Sequence, residues 1–235
     1  MMGRAEEGQR QLEEVLRRNP TAPNARQTLC LALAEVPATR PRALEEALRL
    51  RQEQPDEPAA LETLATIYAR AERYREALES YREGMREDPE EIWPYAGASA
   101  MLAALGRHPE ARAGLQDALE RFPGDAGLRL MLARLLAASP DPRTRDPKRS
   151  VEMGSELMKA APNAVRMETL AVALAADSRY EEAIVLQRRA VAAERGVAGA
   201  DIEKRAQAVL RSIENHRPWR EPWPFRRVQV SPAEE

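Results

Sequence analysis

Apolar residues between Pro58 and Glu91 recur with the spacing of two short helices separated by a polar turn. In each helix they fall at or near positions i, i+3, i+4 and i+7, which places them on one face. The positions are Leu61, Leu64, Ala65 and Tyr68 in the first helix, and Ala77, Leu78, Tyr81, Gly84 and Met85 in the second. Neither helix has an apolar face wide enough to be stable alone, so the pair must stack on neighbouring helices.

The same pattern recurs along the chain at an interval of about 34 residues, which is typical of stacked helical repeats. It predicts five helix hairpins, over residues 24–57, 58–91, 92–125, 126–163 and 164–197. A half-repeat at 5–20 precedes them, a capping helix at 200–215 follows them, and residues 216–235 form a tail rich in proline and tryptophan. The sequence therefore predicts one helical array over residues 1–215, followed by the tail.

The repeated unit resembles the tetratricopeptide repeat (TPR), and the resemblance rests on spacing and residue size together. The matching positions are Leu61, Leu64, Ala65, Tyr68, Ala77, Tyr81, Gly84 and Pro89. Three of these, Ala65, Ala77 and Gly84, are small where the two helices of a hairpin come closest. The resemblance implies an all-α, right-handed α-solenoid of stacked TPR helix hairpins. The chain is similar in particular to a bacterial TPR subtype, in which an array with a C-terminal capping helix is often attached to an unrelated domain.

Three segments depart from the regular pattern. Residues 139–147 insert three prolines between the helices of the fourth hairpin, and we expect a surface loop there rather than a contact loop. The helix at 5–18 is either an N-terminal cap or half of a hairpin that continues upstream. In the tail, Trp219, Trp223 and Phe225 either fold back onto the capping helix or form a docking segment for another chain.

Charge and composition exclude several classes of function. The chain has 36 basic and 38 acidic residues, a formal net charge of −2, so nucleic-acid binding has no electrostatic support. No apolar run approaches the roughly 20 residues that span a bilayer, and no secretory signal is visible. We therefore expect a chain without membrane insertion, which is either cytoplasmic or lacks its native leader. The single cysteine, Cys30, falls on an apolar helix face and is expected to be buried.

No sequence pattern indicates catalysis or the binding of a metal or cofactor. The two histidines, His108 and His216, lie in different regions, and neither is near the cysteine. CxxC, HExxH, GxGxxG and P-loop patterns do not occur. The sequence therefore predicts a chain that is not an enzyme and that needs no cofactor.

The resemblance also implies a binding surface, because the first helix of each hairpin lines the concave groove in this family. By position, that groove would present Glu62, Thr66, Arg70, Trp93, Ala100, Leu130, Arg134 and Glu168. For Trp93, packing between repeats is an equally good interpretation, and for Leu130 it is the better one.

The family's best-known groove binds a C-terminal carboxylate through Lys, Asn and Arg side chains at set positions. Those positions carry Thr28, Ala32, Thr63, Trp93 and Gly97 here. The carboxylate clamp is therefore missing, and the alanine-rich groove is better suited to an apolar strand or helix.

Two hypotheses of function follow. The first is a non-enzymatic protein–protein interaction scaffold that binds a peptide or helix in the concave groove. The alternative is an accessory TPR domain of a multidomain enzyme, a hydrolase or transferase, whose catalytic part is not in this chain. The expected partner is a protein or peptide, and self-association through the tail is a third possibility.

Overall fold

The computed structural model describes residues 2–20, 22–196 and 199–223. Within these residues the regular structure is entirely helical, with twelve α-helices and one short 3₁₀ turn. Consecutive helices pack as neighbours in two compact units, one ending at Gly106 and one beginning at Arg107. Whether residues 1–215 form one array, as the sequence predicts, stays a prediction.

The first unit consists of six helices and the 3₁₀ turn. They are α1 (Met2–Arg18), α2 (Pro23–Ala34), the 3₁₀ turn (Pro37–Thr39), α3 (Arg40–Glu53), α4 (Pro58–Arg70), α5 (Tyr74–Glu87) and α6 (Trp93–Ala104). Proline occupies the first turn of α2, α3, α4 and α6, where its missing N–H has no intrahelical partner to lose. Helix α2 packs against α3, and α4 packs against α5.

Small side chains fill the closest approaches in the first unit. Ala43, Ala47, Ala65 and Ala77 are each 0% exposed. One core cluster joins the first hairpin to the second; its buried members are Leu29, Cys30, Leu33, Ala34, Ala43, Ala47, Leu64 and Ile67. Burial raises the pKa of the Cys30 thiol to about 12, so this cysteine acts as a small core residue, as its position on an apolar face predicts.

The second unit begins with α7 (His108–Arg121), α8 (Ala126–Ala138) and α9 (Pro147–Ala160), and it continues with α10 (Ala164–Ala176), α11 (Tyr180–Glu194) and α12 (Ala200–Glu214). Three of these helices begin at a side-chain cap. Asp125 accepts a hydrogen bond from the Leu128 N–H at 2.6 Å, and Asp146 and Asn163 cap α9 and α10 in the same way. These caps fix where α8, α9 and α10 start.

Helix α12 covers the last hairpin of the second unit. Val209 and Ile213 on α12 are fully buried in a cluster with α10 and α11 residues such as Ala171 and Ala183. The buried Gln187 of α11 donates from Nε2 to the Ala206 carbonyl of α12 at 3.0 Å. The tetratricopeptide pattern usually has an aromatic residue at this position. A polar side chain is accepted here because it reaches the backbone of α12.

Residues 139–146, between α8 and α9, form an ordered loop whose backbone groups are bonded to the unit around it. The Asp146 N–H donates to the Leu136 carbonyl at 3.0 Å, and Arg145 donates to the Ser139 carbonyl at 3.2 Å. Arg112 of α7 donates to the Thr144 carbonyl at 3.2 Å. The insertion therefore satisfies carbonyl groups that the end of α8 leaves without intrahelical partners.

Candidate functional site

The predicted groove residues fall in both units, and the structure gives them different surroundings. On α4 of the first unit, Glu62, Thr66 and Arg70 follow one another at intervals of four residues and so share one helix face. Glu62 is exposed, and Thr66 and Arg70 are partly exposed. Arg70 forms an ion pair with Glu35, which follows the last residue of α2. This face carries a carboxylate, a hydroxyl and a guanidinium along the helix.

Tyr81 of α5 lies directly behind this face. Its hydroxyl shares a hydrogen bond with Thr66, and burial is the largest cause of a raised pKa for this phenol. Helix α6 leaves room for the tyrosine ring by placing Gly97 beside it, since a Cβ at Gly97 would overlap the ring. Tyr81 thus contacts α6 through its ring and bonds to Thr66 of α4 through its hydroxyl.

Trp93 opens α6 and packs on the second hairpin. Its ring centroid lies 5.8 Å from that of Tyr81, with the two planes tilted by 58°. At Gly84 of α5, a Cβ would come within 2.8 Å of the indole Cη2 atom. The indole is therefore held between repeats, as one of the two sequence-based interpretations expects, yet part of it remains exposed. Ala100, further along α6, is buried at 8% exposed.

The predicted groove charges of the second unit are engaged in a buried ion-pair network. Glu168 of α10 accepts a hydrogen bond from Arg134 of α8 at 2.6 Å and another from Arg205 of α12. The exposed fraction is 13% for the Arg134 side chain and 4% for the Glu168 side chain. Leu130, on the same helix as Arg134, is half-buried. In the second unit these charged groups bond to each other and to α12.

A fourth charged residue, Glu194 at the end of α11, lies beside this network. Burial and the nearby Glu168 charge raise the pKa of its carboxyl, although Arg205 and Arg134 oppose the rise. Glu194 Oε2 and Arg205 Nη2 are both buried without a hydrogen-bond partner among the described residues. Sequence reasoning missed Arg205 and Glu194, because each lies on a helix surface with many charges and no spacing rule links them to Glu168.

Part of the tail packs back onto the second unit. Trp219 contacts the cluster formed by α10, α11 and α12, and its Nε1 donates to the Glu221 carbonyl at 2.8 Å. Arg220 donates to the Ala137 carbonyl in the last turn of α8 at 2.9 Å. Trp223 is half-buried, and Phe225 lies outside the described residues. For Trp219, the fold-back arrangement is the one the structure contains.

Metal-binding and membrane-spanning features are absent from the residues that the structure describes. No group of three or more His, Cys, Asp or Glu side chains there is arranged to hold a metal ion. None of the described helices is both long enough and apolar enough to cross a membrane.

Two sequence profiles described as "Tetratricopeptide repeat" match the chain, over residues 41–92 and 93–135. These matches cover residues 41–135, less than half of the chain. Together with the helix-hairpin fold they support a tetratricopeptide repeat protein, with the all-α solenoid class of fold that the sequence predicts. Such proteins bind protein or peptide partners and are generally not catalytic, so the class of function is a protein-interaction scaffold. No protein of curated function matches the chain.

Solved structures with a similar fold include proteins described as tetratricopeptide repeat proteins. A thermophilic example from Thermus thermophilus, TTC0263, is 20% identical, with a TM-score of 0.65 over 80% of this chain and 99% of that one. YrrB, described as having an unusual peptide-binding site, is 17% identical, with a TM-score of 0.51 over 84% of this chain and 97% of that one. MamA from Desulfovibrio magneticus RS-1 is 14% identical, with a TM-score of 0.54 over 83% of this chain and 97% of that one. At these identities the likeness concerns the fold.

Proposed function

We propose that this protein is a non-enzymatic scaffold that binds a peptide or helix on the first-helix face of its first unit. That face is defined by Glu62, Thr66 and Arg70 of α4 together with Trp93 of α6. The observation that carries the proposal is the contrast between the units. These side chains keep exposed polar groups and part of an indole ring, whereas Arg134 and Glu168 are bonded within the second unit.

The chemistry of this face is suited to an amphipathic partner. Arg70 is paired with Glu35, but ion pairs between exposed side chains contribute only about 0–1 kcal/mol. A partner carboxylate can therefore replace Glu35 at little cost. Glu62 supplies an acceptor two helical turns away, and Trp93 supplies the aromatic surface that often dominates binding energy at interfaces. The solved relative YrrB, described as peptide-binding, supports a peptide as the class of ligand.

The test uses site-specific photo-crosslinking in cells of the source organism. A photoreactive phenylalanine analogue replaces Thr66 on the proposed face, or Glu79 on α5 as the matched control, since Glu79 is exposed and lies outside that face. We expect a discrete crosslinked partner from position 66 that position 79 does not give. The crosslinked segment is then synthesised and titrated against the purified chain.

The decisive comparison is the affinity of that synthetic segment for two variants. Arg70→Glu reverses the charge on the proposed face and is expected to weaken binding by about tenfold or more. Arg82→Glu makes the same change on α5 and is expected to leave the affinity within about twofold. Equal crosslinking at both positions, or equal loss in both variants, would place the interaction elsewhere on the molecule.

A further inference from the structure

A cleft of about 360 Å³ lies in the first unit, where the α4–α5 hairpin meets the start of α6. Its lining comes from the α3–α4 connection, the end of α5 and the start of α6. The lining residues are Pro55, Asp56, Pro58, Gly84, Glu87, Asp88, Glu91 and Trp93. The cleft thus combines apolar walls with four carboxylates and has no cationic lining residue.

Two of the four carboxylates have bonding partners within the described residues, and two do not. Glu87 binds Arg51 at 2.8 Å, and Asp88 accepts a hydrogen bond from the Glu90 N–H at 3.0 Å. Within the described residues, the side chains of Asp56 and Glu91 form neither an ion pair nor a hydrogen bond. Both line the cleft, Asp56 from the connection before α4 and Glu91 from the connection before α6. Two free carboxylates beside one cavity leave a local negative charge that the protein itself does not neutralise.

Trp93 supplies the aromatic wall of the cleft, and its position is fixed. Tyr81 contacts one side of the indole, and Gly84 permits an approach that a Cβ would block at 2.8 Å. A ring held in this way loses little conformational entropy when a ligand stacks on it. An indole is also the aromatic group that attracts cations most strongly.

The equivalent cleft one repeat earlier provides a comparison within the same unit. It encloses about 340 Å³ and is lined by Asn24, Gln27, Leu50, Gln54, Glu57, Ala59 and Ala60. Ala59 there takes the place of Trp93, Gln54 takes the place of Asp88, and a single carboxylate remains. A cleft at this junction is therefore a feature of the repeat geometry, whereas the indole and the acidic lining are particular to the second one.

We propose that the cleft around Asp56, Glu91 and Trp93 binds an arginine side chain of a partner protein. A guanidinium is planar, stacks on an aromatic face and donates to two carboxylates at once, which matches the three groups present. The inference rests on the proposed role as an interaction scaffold, and it specifies in addition that the partner segment is positively charged. The occupant is a basic segment that approaches the end of the hairpins beside the first-helix face.

The test measures binding of a fluorescein-labelled hexa-arginine peptide by fluorescence anisotropy at about 0.1 M salt, where long-range charge effects are screened. Asp56→Asn/Glu91→Gln removes the two free carboxylates, and Trp93→Leu removes the aromatic wall. The matched control, Glu57→Gln/Glu79→Gln, removes two carboxylates of the same unit that lie outside the cleft. We expect each cleft variant to weaken binding by about tenfold and the control to change it by less than about twofold.

A hexa-citrulline peptide keeps the shape of the probe without its charge, and we expect it not to bind. Equal binding of both peptides, or an equal loss in the cleft and control variants, would overturn the proposal. A hexa-lysine peptide that binds better than hexa-arginine would overturn the choice of arginine. Amide-proton spectra of each variant check that the fold is retained. The Trp93 indole resonance must shift on titration of the wild type.

One further variant separates this inference from the proposed function. Glu62→Gln removes a carboxylate from the first-helix face and leaves the cleft intact. We expect unchanged affinity for hexa-arginine in this variant. If Glu62→Gln weakens binding more than Asp56→Asn/Glu91→Gln does, the peptide lies on the first-helix face and the cleft is not its site. If photo-crosslinking at Thr66 finds no partner while the cleft variants behave as expected, the proposed function fails and the cleft remains.

Discussion

Arg205 of α12 donates a hydrogen bond to the Glu168 carboxylate of α10. Arg134 of α8 donates to the same oxygen, so one carboxylate joins three helices of the second unit. The Glu168 side chain is 4% exposed, and both of its partners are mostly buried. Because each charge is removed from water, the arrangement is stable only while every member keeps its partner.

Loss of the Glu168 carboxylate should destabilise the protein strongly. Glu168→Leu leaves the buried Arg134 and Arg205 without their shared acceptor, and we expect the free energy of unfolding to fall by about 3–5 kcal/mol. Glu79→Leu is the matched control, because Glu79 is exposed and pairs with Arg82 on the surface of α5. Its expected effect is within about 0.5 kcal/mol. Urea unfolding followed by circular dichroism measures both, and similar losses in the two variants would contradict a structural role for the network.

The carboxyl of Glu194 should make stability depend on pH. Its pKa is raised in the folded state, chiefly by burial and then by the Glu168 charge, against the opposing charges of Arg205 and Arg134; Glu203 adds to the rise. A raised acid pKa means that the folded state holds its proton more tightly than the unfolded state. Ionisation of Glu194 therefore lowers the free energy of unfolding as pH rises through the pKa that this carboxyl has in the folded state. Below its pKa in the unfolded state, Glu194 is protonated in both states and no such loss occurs.

Glu194→Gln should remove this pH dependence. We expect the variant to melt at a higher temperature than the wild type at about pH 7.5, with the difference shrinking as pH falls towards the ordinary glutamate pKa of about 4.3. Glu181→Gln is the control, since Glu181 is well solvated on α11 with 89% of its side chain exposed. Thermal melts recorded between these pH values give the answer. A difference in melting temperature that grows as pH falls would show that the predicted direction of the pH dependence is wrong.

The sequence predicts the helices well and the interactions between distant helices poorly. Periodic apolar positions such as Leu61 and Ala65 specify which face of a helix is buried, and the observed helices follow that pattern. The sequence did not predict that Arg134 and Glu168 are bonded within the second unit. A position on a repeat predicts that a side chain faces the groove, but Arg205 is far away in sequence, so the pairing that removes Glu168 from solvent leaves no local signal.

The cleft beside Trp93 likewise could not be predicted from the sequence, because its lining comes from different repeats. Repeat spacing places Trp93 at the start of a first helix and Glu91 just before it. Asp56 belongs to the preceding junction, and only the stacking of one hairpin on the next brings it to the same cavity. The small residues at close approaches are the exception, because Gly84 and Gly97 occupy positions that the repeat geometry itself restricts.

Two glycine-to-alanine substitutions should have effects of opposite sign. At Gly97 in α6 a methyl group overlaps the ring of Tyr81, and we expect a loss of about 1–3 kcal/mol from overpacking. At Gly8 in α1 nothing lies within 4 Å of an added Cβ, so we expect a gain of about 0.5–1 kcal/mol from helix propensity. Chemical unfolding of the two variants compares them directly. A stabilising Gly97→Ala would show that Tyr81 does not pack against α6 as described.

Residues 217–223 should contribute to the stability of the second unit through Trp219. Its indole packs on the cluster that includes Ile213 of α12 and Tyr180 of α11. Full loss of a buried tryptophan costs about 3–5 kcal/mol, and since Trp219 is only partly buried we expect about 2 kcal/mol for Trp219→Ala. Arg217→Ala is the control from the same segment, because the Arg217 side chain is exposed.

The two tail variants also separate fold-back packing from self-association. If Trp219 acts within its own chain, Trp219→Ala lowers the unfolding midpoint at every protein concentration and leaves the mass measured by light scattering unchanged. If Trp219 instead joins two copies, the variant has a lower mass than the wild type, and its loss of stability grows with protein concentration. Because Trp219 already packs on a core cluster of its own chain, we expect the first result. A mass that falls in Trp219→Ala but not in Arg217→Ala would favour self-association instead.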